Sequence, residues 1–486
     1  MSRETKQITT NQQTQLAPTS HTKVFIALLI TIFIMPLPHG GEIVWQYLLF
    51  CISIFSLGAI YFFTSNTNNA QNTSHTKSQY QTLTSLKAPL LLLGAWLLFQ
   101  IIQIIPLPTS ITGQSTSASN QWQTISIAPN ITLVELIKHT SYITVFILTL
   151  CLLTTKKRIL ALANTLFFVS AIIALYSLIN HYTNGGFDLI SSIPPWTATW
   201  QKAAHGTFSY QNHYASFLTL TIPLGYGLLY ANIKQNRTKI GKGKRATIVD
   251  LLMSANGIYL LSLLIMITAL FKTASRGGNS IFIISIAITF LCVLLQQNKS
   301  TKQKVKKIGA LAVSMLAVGI MVLATGVTDT LTKRLDSQGY TPNGRDLMHQ
   351  TAFAIIKESP IVGMGAGTYP ILQHKYKSAT LGYSAMSKRA HNEYLELLTN
   401  QGIIGFSLLA IATILLLTKL VTSLKKNKKG KTTSLHGLQI ASFCAVTAIL
   451  LHSLADFNFH LPTNAVYFYL ILAIGIKIPL LKKQSY

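Results

Sequence analysis

Long apolar runs recur along the chain, at roughly residues 24–38, 43–63, 88–106, 133–154, 159–180, 214–231, 251–271, 278–295, 309–326, 404–421, 436–455 and 463–481. A hydrocarbon core about 30 Å thick is crossed by about 20 helical residues rising about 1.5 Å each. The runs therefore predict an all-α polytopic membrane protein with about twelve transmembrane helices. The first run is short and ends in Pro36-Leu37-Pro38-His39-Gly40-Gly41, a cluster of helix breakers that predicts a tight turn. Between the ninth and tenth runs the pattern changes. The polar, basic stretch 327–403 opens on a Pro342-Asn343-Gly344 turn. It predicts an amphipathic helix from about Arg345 to Lys357, then the glycine-rich turn Gly363-Met364-Gly365-Ala366-Gly367. A second helix from about Ala390 leads into the tenth span after Gly402. The expected organisation is a polar tail (1–22), a bundle of spans one to nine (23–326), an active-site loop (327–403) and spans ten to twelve (404–486).

Composition excludes a string of soluble domains: of 486 residues, 49% are hydrophobic and 11% charged, with mean hydropathy +0.41. The net charge of +28 does not point to nucleic acid, because the basic residues fall in short clusters between apolar runs. Such clusters set topology. They precede the first span and follow the fourth, sixth, eighth, tenth and last, so about 28 Lys and Arg share one side and about 4 the other, outside the long loop. Both termini are thus expected in the cytoplasm and the long loop outside. Cys51, Cys151, Cys292 and Cys444 are far apart inside apolar runs, with no metal-ligand spacing or disulfide framework. The polar N-terminal tail lacks the pattern of a cleaved signal peptide.

The outer loops hold the chemistry. His391 heads the second loop helix, where an imidazole can take a proton from an attacking sugar hydroxyl; the plain alternative is a capping histidine at the membrane interface. Arg276 lies in the short Ser275-Arg276-Gly277-Gly278 turn. A guanidinium there is costly unless it snorkels or meets an anion, and a diphosphate accepts its paired hydrogen bonds. Arg345 opens a helix beside Asp346, which suits either a phosphate or a solvated surface pair. The Gly363–Gly367 run lacks the strand and the Lys-Ser/Thr of a phosphate loop. No Asp-x-Asp is present, which argues against a metal-bound nucleotide-sugar donor. Glu393 and Glu396, three apart on one helix, do not flank a cleft as glycosidase carboxylates do.

Taken together, several motifs resemble the O-antigen ligases and their relatives, the O-antigen polymerases and bacterial O-linked oligosaccharyltransferases. They are His391-Asn392 followed by Gly402-x-x-Gly405, Ser275-Arg276-Gly277, Gly344-Arg345, Pro360 with Gly363-x-Gly365, Gly206-Thr207-Phe208 with Asn212, and His452-Ser453-x-x-Asp456-Phe457. The resemblance implies inverting glycan transfer, without metal or cofactor, from an undecaprenyl-diphosphate-linked glycan at the periplasmic face of the bacterial inner membrane. It implies His391 as the catalytic base on the acceptor hydroxyl, with Arg276 and Arg345 on the diphosphate. Arg389, beside His391, is counted as a third donor-binding cation, and Asn392, Ser275, Gly402 and Asn212 as supporting residues.

The expected acceptor is lipid A–core, as in lipopolysaccharide biosynthesis. A polymerase of the same family is the alternative, and a protein O-oligosaccharyltransferase a further one. A twelve-helix glycan transporter is the competing class. It predicts charges inside the bundle and internal repeats, whereas the spans read as nearly charge-free.

Overall fold

The computed structural model describes residues 19–67, 80–108, 122–189, 203–239, 255–295, 345–376, 389–426 and 434–481. Over these the chain is almost wholly helical. The membrane-type helices are α1 (Thr19–Ile34), α2 (Val44–Thr67), α3 (Lys87–Ile104), α4 (Pro129–Leu152), α5 (Lys156–Tyr182), α6 (Gln211–Lys239), α7 (Ala255–Lys272) and α8 (Arg276–Leu295). The shorter polar helices α9 (Arg345–Glu358) and α10 (Tyr369–Tyr376) precede α11 (Glu393–Lys426), α12 (His436–His452) and α13 (Pro462–Leu481). One two-residue ladder joins β1 (Leu107–Pro108) to β2 (Trp122–Gln123), antiparallel. Seven helices, α2 to α6 with α11 and α13, are long and apolar enough to cross a membrane, and α1, α7, α8 and α12 are shorter apolar helices. Each coincides with an expected run. The run 309–326, the tail 1–18 and the turn at Pro342 to Gly344 lie outside the described residues.

Burial follows helix chemistry. In α13 every residue from Pro462 to Ile478 is buried, and a helix apolar on all sides belongs in a bundle core. Helix α6 is likewise mostly buried and packs most extensively on α12. Their close crossing needs small residues: a Cβ on Gly227 would sit 2.7 Å from Leu438 Cα, and one on Gly437 2.5 Å from the Tyr230 ring. At the end of α1, Gly40 (φ 61°) turns the chain against Phe208, and Thr207 Oγ1 donates to Pro36 O at 2.5 Å. The breaker cluster is therefore a turn, docked onto the start of α6.

The expectation of nearly charge-free spans does not hold. Lys138 of α4 is buried, with Nζ 2.9 Å from Glu135 Oε1. Lys477 of α13 is 0% exposed and donates to Thr82 Oγ1 at 2.9 Å. Isolated charges in an apolar run read as snorkelling ends, but here each has a partner inside the bundle.

Helices α9 and α10 and the start of α11 form a cap with its own small core of Ala352, Ile355, Met364, Tyr369, Leu372 and Ala390. The cap is tied to the bundle where α11 kinks at Gly402 (φ 58°, ψ −168°). Here Ile403 N and Ile404 N donate to Pro360 O (2.9 Å) and Ile361 O (3.2 Å), while Met364 N and Gly365 N donate to Thr399 O (3.0 Å) and Asn400 O (2.8 Å). The crossing segment thus takes up the backbone groups that the kink releases. Gln103, fully buried on α3, holds both sides: Nε2 donates to Val362 O (2.8 Å) and Asn400 O (3.1 Å), and Oε1 accepts from Ala366 N (3.3 Å).

Gly402 therefore supports the site through the backbone. Any Cβ there would overlap Ile361 O, in a conformation open essentially to glycine alone. Gly402→Ala is expected to destabilise the protein by about 1–3 kcal/mol from the backbone conformation alone. It should lower the thermal unfolding midpoint in detergent, where Gly94→Ala, at a glycine with open space for a Cβ, leaves it nearly unchanged.

Candidate active site

A turn after α12 carries Asp456, 1% exposed, to the end of the bundle that bears α9. His391 Nδ1 lies 3.2 Å from its Oδ1, and Asn212 Nδ2 donates to Oδ2 at 2.8 Å. Arg345 Nη2 is 3.9 Å from Oδ2, and the backbone N of Phe457 donates to Oδ1 at 3.0 Å. Burial alone would raise the acid's pKa. The hydrogen bond from His391 and the charges of His213, His391 and His452 outweigh it, holding Asp456 well below the usual carboxylate range. The centre of the site is thus a buried, ionised carboxylate.

Each partner is placed by local sequence. Asn392 caps α11, its Oδ1 accepting from Tyr394 N (3.0 Å) and Leu395 N (3.1 Å). Glu393 N donates to Ser453 O at 3.0 Å and fastens this helix start to the Asp456 turn. Between them His391 takes φ 49°, a left-handed conformation for a non-glycine residue, and such strain gathers at functional sites. The Phe457 ring meets the His391 ring edge-on at 4.8 Å. The Nδ1–Oδ1 line is off the ideal hydrogen-bond direction, as catalytic hydrogen bonds often are before substrate binds. With Nδ1 turned to the carboxylate, Nε2 is the nitrogen that can act on another group.

Ser275 caps α8, its Oγ accepting from Gly278 N at 3.2 Å. The helix then begins with Arg276, so its positive end and a guanidinium coincide. A Cβ on Gly277 would lie 2.9 Å from His452 Nε2. The start of α8 therefore abuts His452, whose ring lies within the field of Asp456 and Arg345. Arg276 and His391 belong to elements separated by one histidine ring and one carboxylate. The structure brings together the neighbourhoods of His391, Arg345, Asn212, Asn392, Ser275 and Arg276.

Arg389 does not join this group. Its Nη1 is 2.7 Å from Glu396 Oε1, its Nη2 meets His460 Nε2, and its side chain is 14% exposed. Two residues before His391, it looked like a neighbouring cation, but the strained backbone at His391 turns the two side chains to different partners. It lines a separate cavity of about 380 Å³ with Glu135, His139 and Glu396. Burial, with the nearby charge of Arg389, pushes the pKa of His460 well below its ordinary 6.5. A neutral imidazole can accept from the guanidinium, and a protonated one cannot.

The sign of the pH effect follows. The unfolded chain takes up this proton first as pH falls, so the contribution of His460 is complete above about pH 6.5 and is lost below it. The unfolding midpoint should drop on acidification below that value, and drop less in His460→Gln.

Asp456 was missed as a working residue, although its motif was visible. Nothing in the spacing of residues 391 and 456 shows that they meet. His213 and His452 are likewise buried beside it. These two histidines, with Asn279 and Asn458, hold buried side-chain atoms that lack a hydrogen-bond partner among the described residues. Leaving each unserved costs about 1–3 kcal/mol, so the site has polar capacity for a ligand. No group of three or more His, Cys, Asp or Glu is arranged to hold a metal ion among the described residues.

Residues 261–410 match the O-antigen ligase family. A search of curated proteins returned no match to the chain. The matched stretch contains Arg276, Arg345, His391 and Gly402, while Asn212 and Asp456 lie on either side of it.

Proposed function

We propose that the protein, whose residues 261–410 match the O-antigen ligase family, transfers a glycan from undecaprenyl diphosphate to an acceptor hydroxyl such as one on lipid A–core. The reaction takes place at the periplasmic face of the inner membrane, with both termini cytoplasmic in a twelve-span bundle. The observation that carries this reading is the convergence of His391 and Arg345 on the buried Asp456, beside the helix start that bears Arg276.

Asp456 holds the Nδ1 proton of His391, so Nε2 accepts the proton of the attacking hydroxyl. The hydroxyl oxygen forms a bond to the anomeric carbon as the bond from that carbon to the diphosphate oxygen breaks, with inversion. Negative charge grows on the departing diphosphate, and Arg276, the α8 N-terminus and Arg345 stabilise it. His391 then returns its proton to solvent. The diphosphate is already a good leaving group, so positioning and electrostatics supply most of the acceleration. Arg345 lies near Asp456 at 3.9 Å and is still 31% exposed, which lets one guanidinium face both the carboxylate and an incoming phosphate.

The test is envelope glycan profiling of a deletion strain complemented with wild type or variants. A ligase predicts loss of polymer from lipid A–core, with long undecaprenyl-linked polymer accumulating, in the Arg276→Ala strain. Core bearing a single repeat would assign a polymerase instead. An unchanged profile at normal expression would overturn glycan transfer through this site.

A further inference from the structure

The cavity that takes the Arg389 side chain has a chemistry of its own. Among the described residues that line it are none of His391, Arg276, Arg345 and Asp456. Its volume of about 380 Å³ lies within the range of small-ligand sites, about 300–1,000 Å³. One end is apolar, walled by Phe406, Leu409, Ile414 and Leu417 of α11, Leu450 of α12 and Phe468 of α13. Ile414 is also 58% exposed on the outer surface of the bundle. The apolar end therefore reaches the lipid-facing side, where α11 packs mainly on α3 and only lightly on α12 and α13.

The inner end is polar, and its cations are already paired with carboxylates. Its walls carry Glu135, Glu393, Glu396, Arg389 and the imidazoles of His139 and His460, and Glu135 is paired with Lys138 at 2.9 Å. Arg389 is already committed to Glu396 and His460. A phosphate here would have to displace a carboxylate from one of these paired cations in a partly dehydrated site. Hydroxyl groups suit it better, because carboxylates accept from them and sugar rings pack on aromatic faces. Trp96 supplies such a face, its ring 4.6 Å from that of His139. Tyr142, 4% exposed in the same wall, carries a hydroxyl with no hydrogen-bond partner among the described residues.

We propose that this cavity binds an amphiphile with one extended aliphatic chain and an uncharged, hydroxyl-rich head, the chemistry of an alkyl glycoside. The chain enters beside Ile414 and lies along α11, and the head rests among Glu135, Trp96, Tyr142 and Glu396. In the proposed reaction the Arg276 and Arg345 side takes the anion, so the molecule keeps two sites of different head-group preference. This assignment does not depend on His391 acting as a base.

The test uses the full chain in phosphatidylcholine nanodiscs. An alkyl glycoside with a diazirine in its chain is compared with an alkyl phosphate carrying the same chain and diazirine. The expected result is light-dependent labelling of the 409–417 segment by the glycoside, displaced by excess unlabelled glycoside and about tenfold weaker with the phosphate. Ala410→Trp, which fills the groove, should cut labelling several-fold. Displacement in the wild-type protein stands as evidence if that variant misfolds. His391→Ala should label like wild type, so failure of this site and failure of the proposed base read out separately. Equal labelling by the phosphate probe would overturn the proposal, as would labelling that excess glycoside does not displace.

Discussion

Replacing His391 with alanine is expected to lower the rate of glycan transfer by about 10²–10⁴-fold, the usual contribution of a positioned general base. Donor binding should change little, because the proposed mechanism holds the diphosphate from the α8 and α9 sides. In that mechanism the imidazole serves the incoming hydroxyl, so its loss should appear in the transfer step. A loss of donor affinity with an intact transfer step would instead make His391 a donor ligand. The cap should remain folded, since its small core and the crossing at Gly402 do not use the His391 side chain.

Asp456→Asn is expected to be at least as damaging, up to about 10⁴-fold, the scale reached when the carboxylate that orients a histidine base becomes an amide. The amide can keep the shape of the turn and still accept from Phe457 N. Phe457 N and His391 Nδ1 both face Oδ1, so in the opposite orientation the amide gives up the bond from Phe457 N and presents an N–H to His391 Nδ1, which moves the ring proton to Nε2 and removes the lone pair the mechanism needs. The Asn212 amide, which donates to Oδ2 at 2.8 Å, then meets a donor or a weaker acceptor. Because the two residues act as one unit, the double variant His391→Ala with Asp456→Asn should be little worse than either single one. Full additivity of the two losses would mean that Asp456 acts independently of His391. Asp456→Ala is less informative, because it opens a buried space beside His213 and His452.

Much of the fold was legible because membrane-spanning helices announce themselves by length and apolarity. Eleven of the twelve apolar runs coincide with described helices, the cap helix beginning at Arg345 stands where its amphipathic pattern put it, and the breaker cluster after α1 is a turn. The pair Glu135 and Lys138 is local, but the buried partner of Lys477 was not legible. Lys477 and Thr82 are almost four hundred positions apart, so no local pattern reveals their bond. The site was visible as motifs but not as an arrangement. His391, Arg276 and Arg345 stood out because cations and a histidine near a membrane boundary require a reason. Asp456 did not, since a carboxylate at a helix end reads as a solvated residue until the turn after α12 buries it. Arg389 shows the opposite failure: nearness in sequence to His391 suggested a shared ligand, and the backbone turn separates them. Gly402 was noticed as part of a motif, and its reason is the crossing of residues 360–365 over the kinked helix.

The most direct measurement is single-turnover transfer by the purified protein in nanodiscs, supplied with an undecaprenyl-diphosphate-linked glycan and lipid A–core and followed for both glycosylated acceptor and released undecaprenyl diphosphate. The two products should appear together at one rate with wild type, and both should fall by about 10²–10⁴-fold with His391→Ala while the donor still binds. Wild-type rates in His391→Ala would contradict assignment of the base to this histidine. Release of undecaprenyl diphosphate by wild type without matching glycosylated acceptor would contradict transfer to a lipid A–core hydroxyl.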